Sequence, residues 1–206
     1  MELSLDKLAA NSSAMHYRRV PLKLRTGRLE LIAATLPLIE TEAAGTSNLS
    51  GALNAEIETW PPPGNDESSL RWSVDKLRAN PEHAGYHIWY VILLEAQRRK
   101  LVGLVAFKGP PDAQGVIEAG YSIVEKHQRR GIGTEATRAI MRWAFEDSRV
   151  KLITAETFPE LDASIKVMKG CGMRFLGKGS SEPGAIRYGV TKVEFNRFLL
   201  ERPALK

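Results

Sequence analysis

The chain has one cysteine, Cys171, among its 206 residues. That excludes an intramolecular disulfide framework and a zinc cluster built from cysteines. No apolar run approaches the roughly 20 residues that span a bilayer, so no membrane partner is expected. The start, Met1-Glu2-Leu3-Ser4-Leu5-Asp6-Lys7, lacks the basic residues and apolar block of a signal peptide. A soluble, cytoplasmic protein is therefore the expectation. His16, His83, His87 and His127 show no metal-ligand spacing, and no metal is expected. Internal repeats, low-complexity tracts and domain linkers are missing too. What is present is ordinary: 43% hydrophobic and 26% charged residues exclude wholesale disorder and collagen-like or coiled-coil classes. A chain of this length can bury a full core without staples.

Residues 1–100 carry 12 basic and 12 acidic side chains. Residues 101–206 carry 17 and 12, so the whole excess of +5 lies in the second half. Lys126, Arg129, Arg130, Arg138, Arg142, Arg149 and Lys151 stand close together, against Glu135, Glu146 and Asp147. Such a local positive field suits an anionic ligand, or is the solvated face of a helix. Nucleic acid is not expected as a partner, because aromatics do not alternate with the basic residues of that stretch, where only Trp143 and Phe145 stand, close together.

Residues 1–20 show no clean period and read as a loose N-terminal arm, with 21–206 as one domain. Leu29-Glu30-Leu31-Ile32-Ala33 alternates as a first strand. Residues 35–58 read as helices interrupted near Gly45 and Gly51. Trp60-Pro61-Pro62-Pro63 breaks the chain, and 68–79 form a helix with Leu70, Val74 and Leu77 on one face and Ser68 or Ser69 as cap. Strands at 86–94 and 101–107 flank a polar turn over 95–100, a hairpin signature. A third strand covers 116–124, and an amphipathic helix follows with Ile132, Ala136, Ile140 and Trp143 or Ala144 inward. Further strands at 150–155, 174–176 and 186–193, with a short helix over 161–169, complete a single mixed α/β sheet.

The sharpest feature joins strand 116–124 to that amphipathic helix: Gln128-Arg129-Arg130-Gly131-Ile132-Gly133. Gly131 and Gly133 permit positive φ and let backbone N–H groups approach a ligand closely. The helix start aims free N–H groups and a positive dipole end at the same point, and Arg129 and Arg130 add charge. These are the requirements of a pyrophosphate cradle. Gly131-x-Gly133-x-x-Ala136 also satisfies a dinucleotide fingerprint, with Glu156 near the offset of its ribose-binding acid. Against a nicotinamide cofactor, 125–130 separate the strand from the glycines and the loop is cationic. Only about 50 residues follow Glu156, too few for the rest of a doubly wound sheet.

The same six residues match the (Gln/Arg)-x-x-Gly-x-(Gly/Ala) loop of the GCN5-related N-acetyltransferases. Thr26-Gly27-Arg28-Leu29-Glu30-Leu31 resembles that family's first strand, and Glu118-Ala119-Gly120-Tyr121-Ser122-Ile123 the strand before its loop. Gly133-Thr134-Glu135-Ala136 resembles the helix start of the RimJ/RimL-like branch, which acetylates ribosomal-protein N-termini. Residues 161–173 resemble the helix that closes the site, and roughly 24–195 can be laid on the pattern. The resemblance implies an α/β (α+β) fold: one mixed, mostly antiparallel sheet of six to seven strands with helices on both faces, splayed between the fourth and fifth strands. It implies acetyl-CoA as co-substrate and direct attack on the thioester by a primary amine, from a protein N-terminus or a small molecule.

Carried onto this chain, the backbone of Arg129, Arg130, Gly131, Ile132, Gly133 and Thr134, with Gln128, would hold the CoA pyrophosphate. The strand edge at Ser122, Ile123 and Val124 would pair with the pantetheine amides like an added strand. Glu118 becomes the candidate base, directly or through a water, and shares a strand face with Gly120 and Ser122. Many relatives place a tyrosine where this chain has Met168, which has no acidic proton, and an asparagine where it has Leu161. Ser164 is left as a donor to the departing sulfur or to a pantetheine oxygen. The missing tyrosine motivates an alternative, a non-catalytic acyl-CoA-binding or regulatory protein of the same fold. A homodimer is left open. Three lesser features complete the reading. His87 and Trp89 share one face of their strand by alternation. Cys171 reads as a packed small residue. Trp60-Pro61-Pro62-Pro63 reads as a surface turn, or as a rigid loop over the acceptor site.

Overall fold

Ile88–Glu95 is apolar along most of its length, and this decides its place. Trp89, Val91 and Leu93 point into one core while Ile88, Tyr90 and Ile92 point into another, as in any strand covered on both faces. The computed structural model describes residues 22–202, so the arm expected over 1–20 lies outside them. The sheet has eight strands: β1 (Lys23–Arg25), β2 (Leu29–Ala33), β3 (Ile88–Glu95), β4 (Arg98–Phe107), β5 (Val116–Ile123), β6 (Leu152–Thr157), β7 (Arg174–Lys178) and β8 (Ile186–Thr191). Their order is β1-β2-β3-β4-β5-β6-β8-β7, and only β5 and β6 are parallel. On one face lie α1 (Leu36–Ala43), α2 (Thr46–Leu53) and α3 (Glu67–Ala79). The other carries α4 (Ile132–Ala144), α5 (Asp162–Gly170) and α6 (Lys192–Glu201).

This is the expected mixed, mostly antiparallel sheet with helices on both faces. The strand count is higher because β1, three residues long, is too short to carry a period; it exists through pairing with β2. The 95–100 turn shrinks to Ala96 and Gln97, with Ala96 at φ 51°. Arg99 and Lys100 continue the strand because each finds a carboxylate: Arg99 Nη2 meets the buried Glu30 at 2.6 Å and Lys100 Nζ meets Glu95 at 3.6 Å. Gly51 does not interrupt a helix but sits inside α2; Gly45, at φ 128°, precedes it. The α3 cap is Asp66 rather than either serine. Its Oδ1 accepts from the Ser69 amide at 2.9 Å, and Ser69 Oγ accepts from the Asp66 amide at 2.9 Å. The last strand stops at Thr191, which with Glu194 forms the capping box of α6, a helix the apolar pattern alone did not announce.

Candidate active site

β5 and β6 pair only from Val116↔Leu152 to Glu118↔Thr154. Beyond that point each strand stays with its antiparallel neighbour: β5 with β4 up to Ile123, β6 with β8 up to Thr157. Antiparallel ladders are the stronger per residue, so the parallel pair is the one that opens. Among the described residues no strand pairs with the β6-facing edge of β5 beyond Glu118, and the opening falls where the expected splay was placed.

The glycine loop stands at the upper end of β5. A single 3-10 turn, Glu125–His127, leads into Gln128, whose Nε2 donates to the Ile123 carbonyl at 2.8 Å and ties the loop to the strand. Arg129 takes φ 59° and Gly131 φ 75°. Gly133 departs from the expected positive φ: it is helical, in the first turn of α4, and Arg129 supplies the second left-handed residue instead. The first intrahelical bond runs from the Glu135 amide to the Gly131 carbonyl at 3.0 Å, so the amides of Ile132, Gly133 and Thr134 have no intrahelical partner. From the turn between β1 and β2, Arg28 clamps the loop. Its Nη2 donates to the Arg130 carbonyl at 2.6 Å and its Nε meets Glu135 at 2.7 Å. The Arg130 guanidinium does not add free charge, because it is paired with Glu95 at 2.8 Å and held by His127 Nδ1 at 3.1 Å. Ile132, Ile123 and Val124 bury their side chains, leaving only backbone to a ligand. Thr134 touches α5: a Cβ on Gly170 would lie 2.8 Å from its Cγ2.

Below the loop, on the α1–α3 face, a cavity of about 620 Å³ has a floor that includes Ile88, Leu104, Phe107, Gly120 and Ser122. Trp60, Pro61 and Pro63 form part of its wall, and Ser122 Oγ donates to the Pro63 carbonyl at 2.6 Å. The Trp-Pro stretch is thus the loop over the site and not a plain surface turn. His87 and Trp89 do not share a face. Residues 86–87 form a bend before β3 begins, so His87 lines the cavity against Trp72, with ring centroids 5.8 Å apart. Trp89 lies in the other core, 5.2 Å from the Trp143 ring.

Glu118 is the last β5 residue paired with β6 and is ion-paired with Lys108, which lines the cavity. Ser164, in the first turn of α5, approaches from the opposite face. It is not a cap: the N-cap of α5 is Leu161, which makes no side-chain bond. Its partner is Tyr121, whose hydroxyl donates to the Ser164 carbonyl at 2.8 Å and lies 2.9 Å from Ser164 Oγ. Burial pushes the Tyr121 hydroxyl well above its ordinary value. Tyr121 was missed as a site residue; its signal was its place in β5 between Gly120 and Ser122, at the open stretch. Met168, which stands where the resemblance implied a tyrosine in many relatives, is buried in the core. Cys171 is buried as well, and burial pushes its thiol up to about 12, which keeps it a packed thiol.

Glu156, the acid of the dinucleotide pattern, is fully engaged elsewhere. It accepts from the Ser181 amide at 2.8 Å, the Ser180 amide at 2.9 Å and Arg187 Nε at 2.7 Å, pinning the turn between β7 and β8. Burial alone would raise its carboxyl, but the Ser181, Ser180 and Arg187 hydrogen bonds outweigh it and bring it to about 2. A lowered folded value means the stabilisation is complete above the unfolded value of 4.5 and is lost as pH falls toward about 2. In thermal melts over that window, wild type is expected to lose Tm more steeply than Glu156→Gln; parallel slopes would contradict this role. Among the described residues no group of three His, Cys, Asp or Glu side chains could hold a metal, and no helix is long and apolar enough to cross a membrane.

The sheet thus opens beside a glycine turn and a helix start, and a cavity reaches the opening from one face. Residues 37–174 match the acetyltransferase (GNAT) domain family, and the chain belongs to it. An uncharacterized N-acetyltransferase, YjdG, of Bacillus subtilis (strain 168) is 26% identical over 149 residues, covering 72% of this chain and 88% of the relative. In fold, the chain is similar to a putative ribosomal-protein-serine acetyltransferase from Vibrio cholerae (TM-score 0.55, 21% identity, 84% of this chain and 99% of that one). It is also similar to the microcin C7 self-immunity acetyltransferase MccE, solved with acetyl-CoA and AMP (TM-score 0.54, 18% identity, 81% and 93% covered). The chain is an N-acetyltransferase of a family that uses acetyl-CoA.

Proposed function

We propose that the protein transfers the acetyl group of acetyl-CoA to a primary amine by direct attack on the thioester. The observation that carries this is the β5–β6 opening, flanked by the Gly131 turn above and the 620 Å³ cavity beside it. The amides of Ile132, Gly133 and Thr134, with the Arg129–Gly131 turn and Gln128, hold the pyrophosphate. The open edge at Ser122, Ile123 and Val124 pairs with the pantetheine amides. The amine enters through the cavity and gives up a proton to Glu118, directly or through a water. Its nitrogen bonds to the thioester carbon as the C–S bond breaks. The thiolate accepts a hydrogen bond from Ser164, whose hydroxyl Tyr121 holds in place, and takes its proton from solvent.

Calorimetric titration with acetyl-CoA, with NAD and NADP as controls, tests the reading. Micromolar binding of acetyl-CoA alone supports it; binding of a nicotinamide cofactor alone overturns it. Glu118→Gln is expected to slow acetylation at least about tenfold with acetyl-CoA affinity unchanged, a conservative threshold against the roughly 10²–10⁴-fold a general base contributes. A rate constant equal to wild type would remove Glu118 from the mechanism, and wild-type turnover of Ser164→Ala would do the same for the serine.

A further inference from the structure

The cavity is acidic in a protein of net charge +5. Glu42, Asp66 and Glu67 line it, Asp66 as the cap of α3 and Glu67 paired with Arg71 at 2.6 Å, which leaves Glu42 as the acid without such a partner; Lys108, the one Lys or Arg in the lining, is itself paired with Glu118. Glu42, at the end of α1, accepts from Trp60 Nε1 at 2.7 Å and from the Tyr90 hydroxyl at 2.5 Å. Both donors are neutral, and among the described residues Glu42 forms no ion pair with a cation. Burial raises its carboxyl, against the bonds from Tyr90 and Trp60. A desolvated carboxylate without a counter-ion is costly, and a cationic ligand removes that cost. A second wall group adds no positive charge. His87 is 3% exposed, its Nδ1 has no partner, and burial lowers its imidazole to about 4, leaving it neutral at neutral pH.

The distance between the two ends is set by the sheet. Tyr90, Leu104 and Ser122 are successive register partners on β3, β4 and β5, so the backbones of Tyr90, whose hydroxyl meets Glu42, and Ser122 lie two strand spacings apart, roughly 10 Å. Between them the wall is apolar, with Leu104, Ile88 and Trp60. We infer that the acceptor is a diamine: its reacting amine lies by Gly120, the next residue after Glu118 on that strand face, an apolar spacer crosses Leu104, and a second, non-reacting ammonium is held by Glu42. This deepens the acetyl-transfer reading of the same site and rests on it.

The test compares 1,6-diaminohexane with n-hexylamine as acceptors for the full chain at saturating acetyl-CoA. The diamine is expected to have a kcat/KM at least about tenfold higher, the gain typical of one charge-paired contact. Glu42→Gln is expected to collapse that ratio toward one. The wild-type ratio stands without any variant, so the test survives if Glu42→Gln does not fold. Equal kcat/KM for the two amines, or a preference that persists in Glu42→Gln, overturns the inference. Acetylation of an alanine-initiated peptide with neither amine turned over overturns it as well. Failure to bind acetyl-CoA at all overturns the acetyl-transfer reading instead.

Discussion

Gly131→Val is expected to weaken acetyl-CoA binding at least about tenfold, equivalent to about 1.4 kcal/mol, while Gly133→Ala leaves it within about twofold of wild type. The two glycines stand two residues apart but do different work. Gly131 holds φ 75° at the turn into α4, a conformation that a β-branched residue adopts only under strain. An L-residue there costs roughly 1–2 kcal/mol, and relieving it re-aims the amides of Ile132 to Thr134. Gly133 is helical, and a Cβ added to it would meet Ile123 Cγ1 at 3.5 Å and Val167 Cγ2 at 3.6 Å, both ordinary contacts. Alanine there gains helix propensity of about 0.5–1 kcal/mol. Titration calorimetry and thermal melts separate the two effects. Wild-type affinity in Gly131→Val would show that the turn is not the cradle. Lost affinity in a stable Gly133→Ala would place the ligand against that Cα.

Gly103→Ala is expected to cost about 2–4 kcal/mol, the upper range for overpacking. The Tm should drop by roughly 5–15 °C for a domain of this size. Gly103 lies in β4 opposite Ile123, and its Cβ would sit 2.4 Å from the Ser122 carbonyl oxygen and 2.9 Å from Ile123 Cα. Both are backbone atoms, which cannot swing aside as a side-chain end does. The β4–β5 ladder must part at the stretch proposed to bind pantetheine, so acetyl-CoA affinity falls with stability. Gly120→Ala is the control on the same strand pair. Nothing lies within 4 Å of its Cβ, and its Tm should stay near wild type. A Gly103→Ala protein that melts with wild type would contradict the packing at this position.

Much of this is legible in the sequence. Strand 116–124, the glycine loop and the helix beyond it are local features, each within about a dozen residues, and each stands where its pattern put it. Ile132, Ala136, Ile140 and Ala144 face the core as their spacing required. Errors gathered where chemistry overrode pattern. Arg99 and Lys100 looked like turn residues and are strand residues, because carboxylates on β2 and β3 receive them. Helix α6 is overlapped by the strand read over 186–193, although Thr191 and Glu194 stand at capping-box spacing. Alternation failed for His87 because a bend precedes the strand.

The sequence by itself determined the parts whose cause is short-range: φ preferences of glycine, helical and strand periods, caps, and the match to an acetyltransferase loop. Only the tertiary structure decided which distant group each polar side chain meets. Arg130 binds Glu95, 35 residues away; Tyr121 bonds Ser164 across 43; Glu42 receives Tyr90 across 48. Those pairings follow from sheet order and from which strands part, and both are set by competition among long-range ladders and two cores. No spacing along the chain encodes the outcome of that competition, and it is there that the opening between β5 and β6 and the walls and depth of the cavity are made.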